Sequence, residues 1–144
     1  SDYVEGEPLS VFLGWQPGGR LDFFQGLHLL HDLACGMEPI HDRREYHGDI
    51  HDENIIIRRR GLSFDVRLLD MYNLGQPGSL TIRQDVHDMI RIFYDALGGS
   101  RFYANHPPEI KGICCGLKKS LIDRKFRNAG QLRHYLEQME WYSR

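Results

Sequence analysis

Apolar positions along the chain follow two different rhythms. From Leu21 to about Met37 they recur at helical spacing, as Leu21, Phe24, Leu27, Leu30, Ala34 and Met37, which predicts an amphipathic helix laid against a core. Asp22 near its start suits the positive end of the helix dipole, and Pro39, which has no N–H to donate, is expected to end it. Val86 to Leu97 predicts a second, strongly apolar helix, stopped by Gly98-Gly99. After the break at Asn105-His106-Pro107-Pro108, two more helices are expected over about 109–120 and 128–141, with Asn128 placed to cap the second.

Between the first two helices the rhythm shortens. Asn54-Ile55-Ile56-Ile57 reads as a buried strand, because β-branched residues fit a pleated surface. Arg58-Arg59-Arg60-Gly61 is expected at a hairpin tip, and Phe64-Asp65-Val66-Arg67-Leu68-Leu69 alternates as the returning strand. Leu9 to Gly14 forms a short apolar segment closed by Pro17-Gly18-Gly19. The fold class is therefore mainly α with a small β-hairpin.

Composition narrows the possibilities. A chain of 144 residues, 41% apolar and 26% charged, fits one globular domain over 1–144. A net charge of −2 with mixed signs gives no footprint for nucleic acid. No apolar run approaches the roughly 18 residues of a membrane span, and no secretory signal pattern is present. Cys35, Cys114 and Cys115 are an odd number with two adjacent, which argues against a disulfide framework and for a reducing, cytoplasmic setting. Eight histidines accompany them, but no Cys-x-x-Cys or paired ligand spacing points to zinc.

Candidate chemistry is concentrated between His47 and Asp70. The run His47-Gly48-Asp49-Ile50-His51-Asp52-Glu53-Asn54 precedes the hairpin, and Asp70 follows it. A carboxylate on a loop can accept a proton from an attacking hydroxyl. An asparagine amide and a second carboxylate offer the oxygen donors that a hard cation prefers. The hairpin between them returns the chain, so that separated residues can face one site.

This ordered set resembles the catalytic loop and metal-binding aspartate of the protein-kinase superfamily. The resemblance implies Asp49 as the proton acceptor, His51 beside the transferred phosphate, and Asn54 and Asp70 as Mg²⁺ ligands. It extends to Asp2-Tyr3-Val4-Glu5-Gly6-Glu7-Pro8-Leu9, which is similar to a kinase hinge and implies ATP contacts from Asp2, Val4, Glu7 and Ile56. It implies structural roles for His47, for Met71 in an apolar slot, and for Asp85, which opens Asp85-Val86-His87-Asp88-Met89-Ile90 and would hold the catalytic-loop backbone. The whole reads as a protein-kinase-like C-terminal lobe: a hinge at 1–9, the catalytic loop, hairpin and aspartate at 47–75, and the last helices at 85–142. The upper lobe, with its Gly-rich loop, strand lysine and helix glutamate, is missing from these residues, and the extended start is expected to be a boundary placed at the hinge.

Departures from the pattern are specific. Gly48 stands where the family has arginine, His51 where it has lysine, and Met71-Tyr72 follow the metal aspartate in place of Phe-Gly. Only 15 positions separate Asp70 from Asp85, with no Ala-Pro-Glu between them. The expected function is the C-lobe of an ATP-dependent Ser/Thr-type protein kinase, inactive as this polypeptide alone. A small-molecule phosphotransferase of the aminoglycoside or choline kinase type and a non-catalytic pseudokinase binding module are the alternatives. Expected partners are ATP, a protein or small-molecule hydroxyl substrate, the missing upper lobe, and a second copy of the chain through apolar surface near Val4, Leu9, Ile56 and Met71.

Overall fold

A computed structural model describes residues 6–61, 63–69 and 81–139. In chain order the elements are β1 (Glu7–Pro8), α1 (Leu9–Gly14), α2 (Phe23–Asp42), β2 (Ile55–Arg60), β3 (Ser63–Leu68), α3 (Ile82–Ala96), α4 (Ser100–Tyr103), α5 (Pro108–Cys114), α6 (Lys119–Lys125) and α7 (Ala129–Gln138). Tight 3₁₀ turns occupy Pro17–Gly19 and Cys115–Leu117.

The strands form an antiparallel sheet in the order β1-β2-β3, so the expected hairpin has gained a third, two-residue strand. Register runs from Ile55 opposite Leu68 to Arg60 opposite Ser63, with Glu7 opposite Ile57 and Pro8 opposite Ile56 on the other edge. The three arginines therefore belong to β2 and not to the tip, which falls at Gly61, in the left-handed region at φ +59°. Pairing continues outward because the isoleucine end of β2 is buried while the arginine end stands in water, where its charges cost nothing.

Helix α2 begins with a reciprocal cap. Gln25 N–H donates to Asp22 Oδ1 (2.7 Å), and Asp22 N–H donates to Gln25 Oε1 (3.2 Å), satisfying two otherwise orphaned amides. The helix does not stop at Pro39 but runs to Asp42. Proline deletes one intrahelical bond, and that loss is offset from outside the helix: His41, two residues further on, is buried and hydrogen-bonded at both ring nitrogens.

Helix α3 crosses the core, burying Val86, Met89, Ile90, Phe93 and Ala96 in the cluster it shares with α2. It starts at Ile82, ahead of Val86, because Thr81 Oγ1 caps it by accepting from Gln84 N–H (3.2 Å). The helix expected over 109–120 is broken. Cys115, Gly116 and Leu117 adopt φ of 52°, 62° and 59°, a left-handed run that ends α5, and the chain restarts as α6. Tyr103 Oη steadies that break by accepting from Gly116 N–H (2.9 Å). Asn128 Oδ1 accepts from Gln131 N–H (2.8 Å) to cap α7, which ends at Gln138.

Leu9 and Ile56, expected on an exposed apolar surface, are 1% and 9% accessible. Leu9 belongs to the core, whereas Ile56 lies on the sheet face opposite Ile55 and Ile57; Val4 and Met71 lie outside the described residues. No described helix is long and apolar enough to cross a membrane.

Two glycines of α2 give the packing a sharp test. A Cβ at Gly26 would meet Leu97 Cδ2 at 2.6 Å and Phe93 Cε1 at 3.3 Å, whereas one at Gly36 would meet nothing within 4 Å. Gly36→Ala is expected to stabilise by about 0.5–1 kcal/mol through helix propensity. Gly26→Ala is expected to destabilise by about 1–3 kcal/mol through overpacking, despite the same gain. Urea unfolding of both variants measures this, and a stabilised Gly26→Ala chain would contradict the packing described.

Candidate active site

The connection between α2 and β2 has no regular structure, and one buried side chain anchors its centre. Asp85, in the first turn of α3, has a fully buried carboxylate. Its Oδ2 accepts from His47 N–H (2.8 Å) and from His41 Nε2 (3.0 Å), and its Oδ1 accepts from Gly48 N–H (2.9 Å). Burying a carboxylate this far is tolerable only with such a full set of donors. His41 Nδ1 in turn accepts from Ala129 N–H at the start of α7 (2.9 Å), so the ring proton sits on Nε2 and points at Asp85.

His41 was not among the candidates read from the sequence. A signal was present: Leu30, Ala34, Met37 and His41 continue one buried face of α2, and a polar residue prolonging an apolar stripe calls for a buried partner.

With two successive amides drawn toward Asp85, the chain must turn at Gly48, whose φ is +83°. A side chain there would be strained, so the position favours glycine. His47 folds back over the loop. Its Nδ1 accepts from Asp49 N–H (3.1 Å), and its Nε2 donates to Leu69 O (2.6 Å). Leu69 N–H donates to Asn54 O (2.8 Å), so the end of β3 is tied to the loop from both sides of one residue.

Asp49 and Asn54 meet directly. The Asn54 side chain is buried, and its Nδ2 donates to Asp49 O (2.6 Å) and Asp49 Oδ2 (3.2 Å). Those bonds use the amide's donor end and leave Oδ1 as its acceptor. Asp49 keeps about a quarter of its side chain in solvent, and His51 Nε2 stands 3.6 Å from Asp49 Oδ1. His51 Nδ1 accepts from Glu53 N–H (3.1 Å), and Glu53 Oε2 accepts from Ser10 Oγ (2.9 Å), which braces the loop against α1. Glu7 is exposed in β1, with Ile56 buried beneath the neighbouring residue. Asp2, Val4, Asp70 and Met71 lie outside the described residues. The structure thus brings together His47, Asp49, His51, Asn54 and Asp85, and sets Glu7 and Ile56 apart in the sheet.

A groove of about 320 Å³ runs beside the loop between α1 and α3, lined by Leu13, Ile50, Asp52, Asp88, Arg91 and Asp95 among others. Burial is the main influence raising the Asp88 carboxyl, opposed by the hydrogen bond from Gln84. Burial also raises the Asp95 carboxyl, with Arg91 lowering it and Asp52 raising it further.

No family model matches the chain. Among solved structures, the crystal structure of the Mycobacterium tuberculosis PknI kinase domain, a double mutant, superimposes with a TM-score of 0.67 at 19% sequence identity. The match covers 96% of this chain and 62% of that domain. The fold is therefore protein-kinase-like, mostly helical with a small antiparallel sheet.

Asp85→Ala would leave the amides of His47 and Gly48 and the Nε2 proton of His41 buried without an acceptor. A loss of about 3 kcal/mol or more is expected from those unmet donors. Denaturant unfolding measures the loss, and amide hydrogen exchange should show His47 and Gly48 losing protection before the α3 core does. Unchanged protection at those two amides would count against Asp85 as the anchor.

Proposed function

We propose that the chain is the carboxyl-terminal lobe of an ATP-dependent protein-kinase-like phosphotransferase, acting in a longer parent on a hydroxyl of the Ser/Thr type. The observation that carries this reading is the Asp49–Asn54 pair, held side by side on a loop suspended from the buried Asp85 within a kinase-like fold. Asp49 is the group that receives the hydroxyl proton, since its carboxylate is partly open to solvent and oriented by Asn54. His51, close to Asp49 and on the same loop, orients that carboxylate and meets the phosphate.

The cofactors of this reading are magnesium and ATP, and the donor left open on Asn54 supports the metal. Asn54 has its amide nitrogen committed to Asp49, which leaves an oxygen of the kind Mg²⁺ takes, and the Asp70 carboxylate would be its companion ligand. When bound, the metal neutralises phosphate charge during transfer. Asp2, Val4, Glu7 and Ile56 would meet the nucleotide from the hinge side.

Gly48 favours a second reading, a small-molecule phosphotransferase. With φ at +83° the position is built for glycine, so a basic partner for a phosphorylated loop has no place there. The acidic lining of the neighbouring groove, Asp52, Asp88 and Asp95 around Arg91, suits a cationic acceptor under either reading.

Phosphoryl transfer depends almost wholly on positioning and electrostatics, and these 144 residues contain no Gly-rich phosphate loop. The polypeptide alone is expected to give no turnover of radiolabelled ATP. In a parent chain carrying the upper lobe, Asp49→Asn is expected to lower kcat by about 10²–10⁴-fold with little change in KM for ATP. Nucleotide binding without turnover in that parent would point instead to a binding module, and an Asp49→Asn parent with full activity would remove Asp49 from the mechanism.

A further inference from the structure

We propose that His31, Cys35 and Glu137 form a zinc site that clamps α2 to α7, on a face the kinase-like chemistry does not use. One ligand atom from each of the three lies within 4.8 Å of the others. His31 and Cys35 are one turn apart on α2, with Cys35 Sγ 3.7 Å from His31 Nε2. Glu137, near the end of α7, brings Oε2 to 2.7 Å from the same nitrogen.

Zinc sets definite separations for such a trio. Bond lengths of about 2.3 Å to sulfur and 2.0–2.1 Å to nitrogen, at a tetrahedral angle, put the two ligand atoms about 3.6 Å apart. The sulfur stands at that distance from Nε2 but is almost equally close to Nδ1 (3.8 Å), so the exposed Cys35 side chain must rotate to share a metal with Nε2. The nitrogen–oxygen pair must open by roughly half an ångström, to about 3.3 Å, replacing a hydrogen bond with two metal bonds. Cys35 is exposed, so a fourth position is open to water.

Surrounding groups brace the ligands. Arg133 Nη1 donates to the other Glu137 oxygen (2.7 Å) and is itself held by Glu38 through Nε (2.7 Å) and Nη2 (3.1 Å). Glu38 and Glu137 together offset the arginine charge that would otherwise repel a cation. On the far side of the imidazole, His31 Nδ1 faces Asp32 Oδ1 at 3.9 Å. That gap is too long for a hydrogen bond, so Asp32 must close by about an ångström to take the Nδ1 proton of a ligating imidazole. Metal binding forms Zn–N, Zn–O and Zn–S bonds. It shifts the imidazole proton from Nε2 to Nδ1 beside Asp32, and releases the Cys35 thiol proton to solvent.

Nitrogen, sulfur and oxygen in one set suit zinc or its cobalt surrogate far better than magnesium, which prefers oxygen alone. The spacing along the sequence concealed the set, because the third donor arrives from a helix 102 positions beyond Cys35.

The untagged 144-residue chain tests this directly. Calorimetric titration with Zn²⁺ is expected to give one site, and Co²⁺ a near-ultraviolet thiolate charge-transfer band. Zn²⁺ should slow alkylation of Cys35 by iodoacetamide, read by peptide mapping. Cys35→Ser, at an exposed position, keeps the fold and is expected to abolish the band and weaken zinc by at least about tenfold; Glu137→Gln should also weaken it. Absence of the band, or zinc binding in Cys35→Ser equal to the parent, overturns the proposal.

Discussion

A carboxylate removed from water must be surrounded by donors or it will not stay charged and folded, and Asp85 meets that condition with three donors from two stretches of chain. Two are loop amides, at His47 and Gly48, and the third is the His41 ring. Because the same ring accepts from Ala129 N–H, one buried charge fixes the end of α2, the following loop and the first turn of α7. Apolar packing alone could not do this. Side chains such as Phe93 and Met89 hold helices together without regard to where a loop carbonyl or amide points.

The candidate site inherits its geometry from that anchor. Drawing two consecutive amides inward turns the chain at Gly48 and brings out Asp49, while His47 and Asn54 bind the end of β3 through Leu69. The loop is irregular in conformation yet densely bonded, which is how an irregular segment can hold reactive groups at fixed separations. Its precision comes from polar contacts to rigid elements, as a functional constellation requires.

Legibility in the sequence tracked the range of the interactions involved. The α2 stripe, the apolar α3 and the Asn128 cap depend on near neighbours, and periodicity revealed them. The ordered residues from His47 to Asn54 could be singled out by type and spacing. Pro39 misled because the compensation for its missing N–H lies in partners of His41 far away along the chain. The break at Cys115 was hidden for a different reason: two of its three left-handed residues are not glycine, and their conformation depends on packing and on Tyr103. The arginines of β2 read as a turn by charge, although pairing with β3 places them in a strand.

The bond from Ala129 to His41 joins residues 88 positions apart, and it makes α7 part of the loop's foundation. A helix at the very end of a domain can often be trimmed with only a local penalty. Here a nick near residue 128 would strip the imidazole of the contact that holds its tautomer, and the disturbance would pass through a single proton to the carboxylate beneath Gly48. Shortening this chain from its carboxyl end is thus a way of loosening its centre.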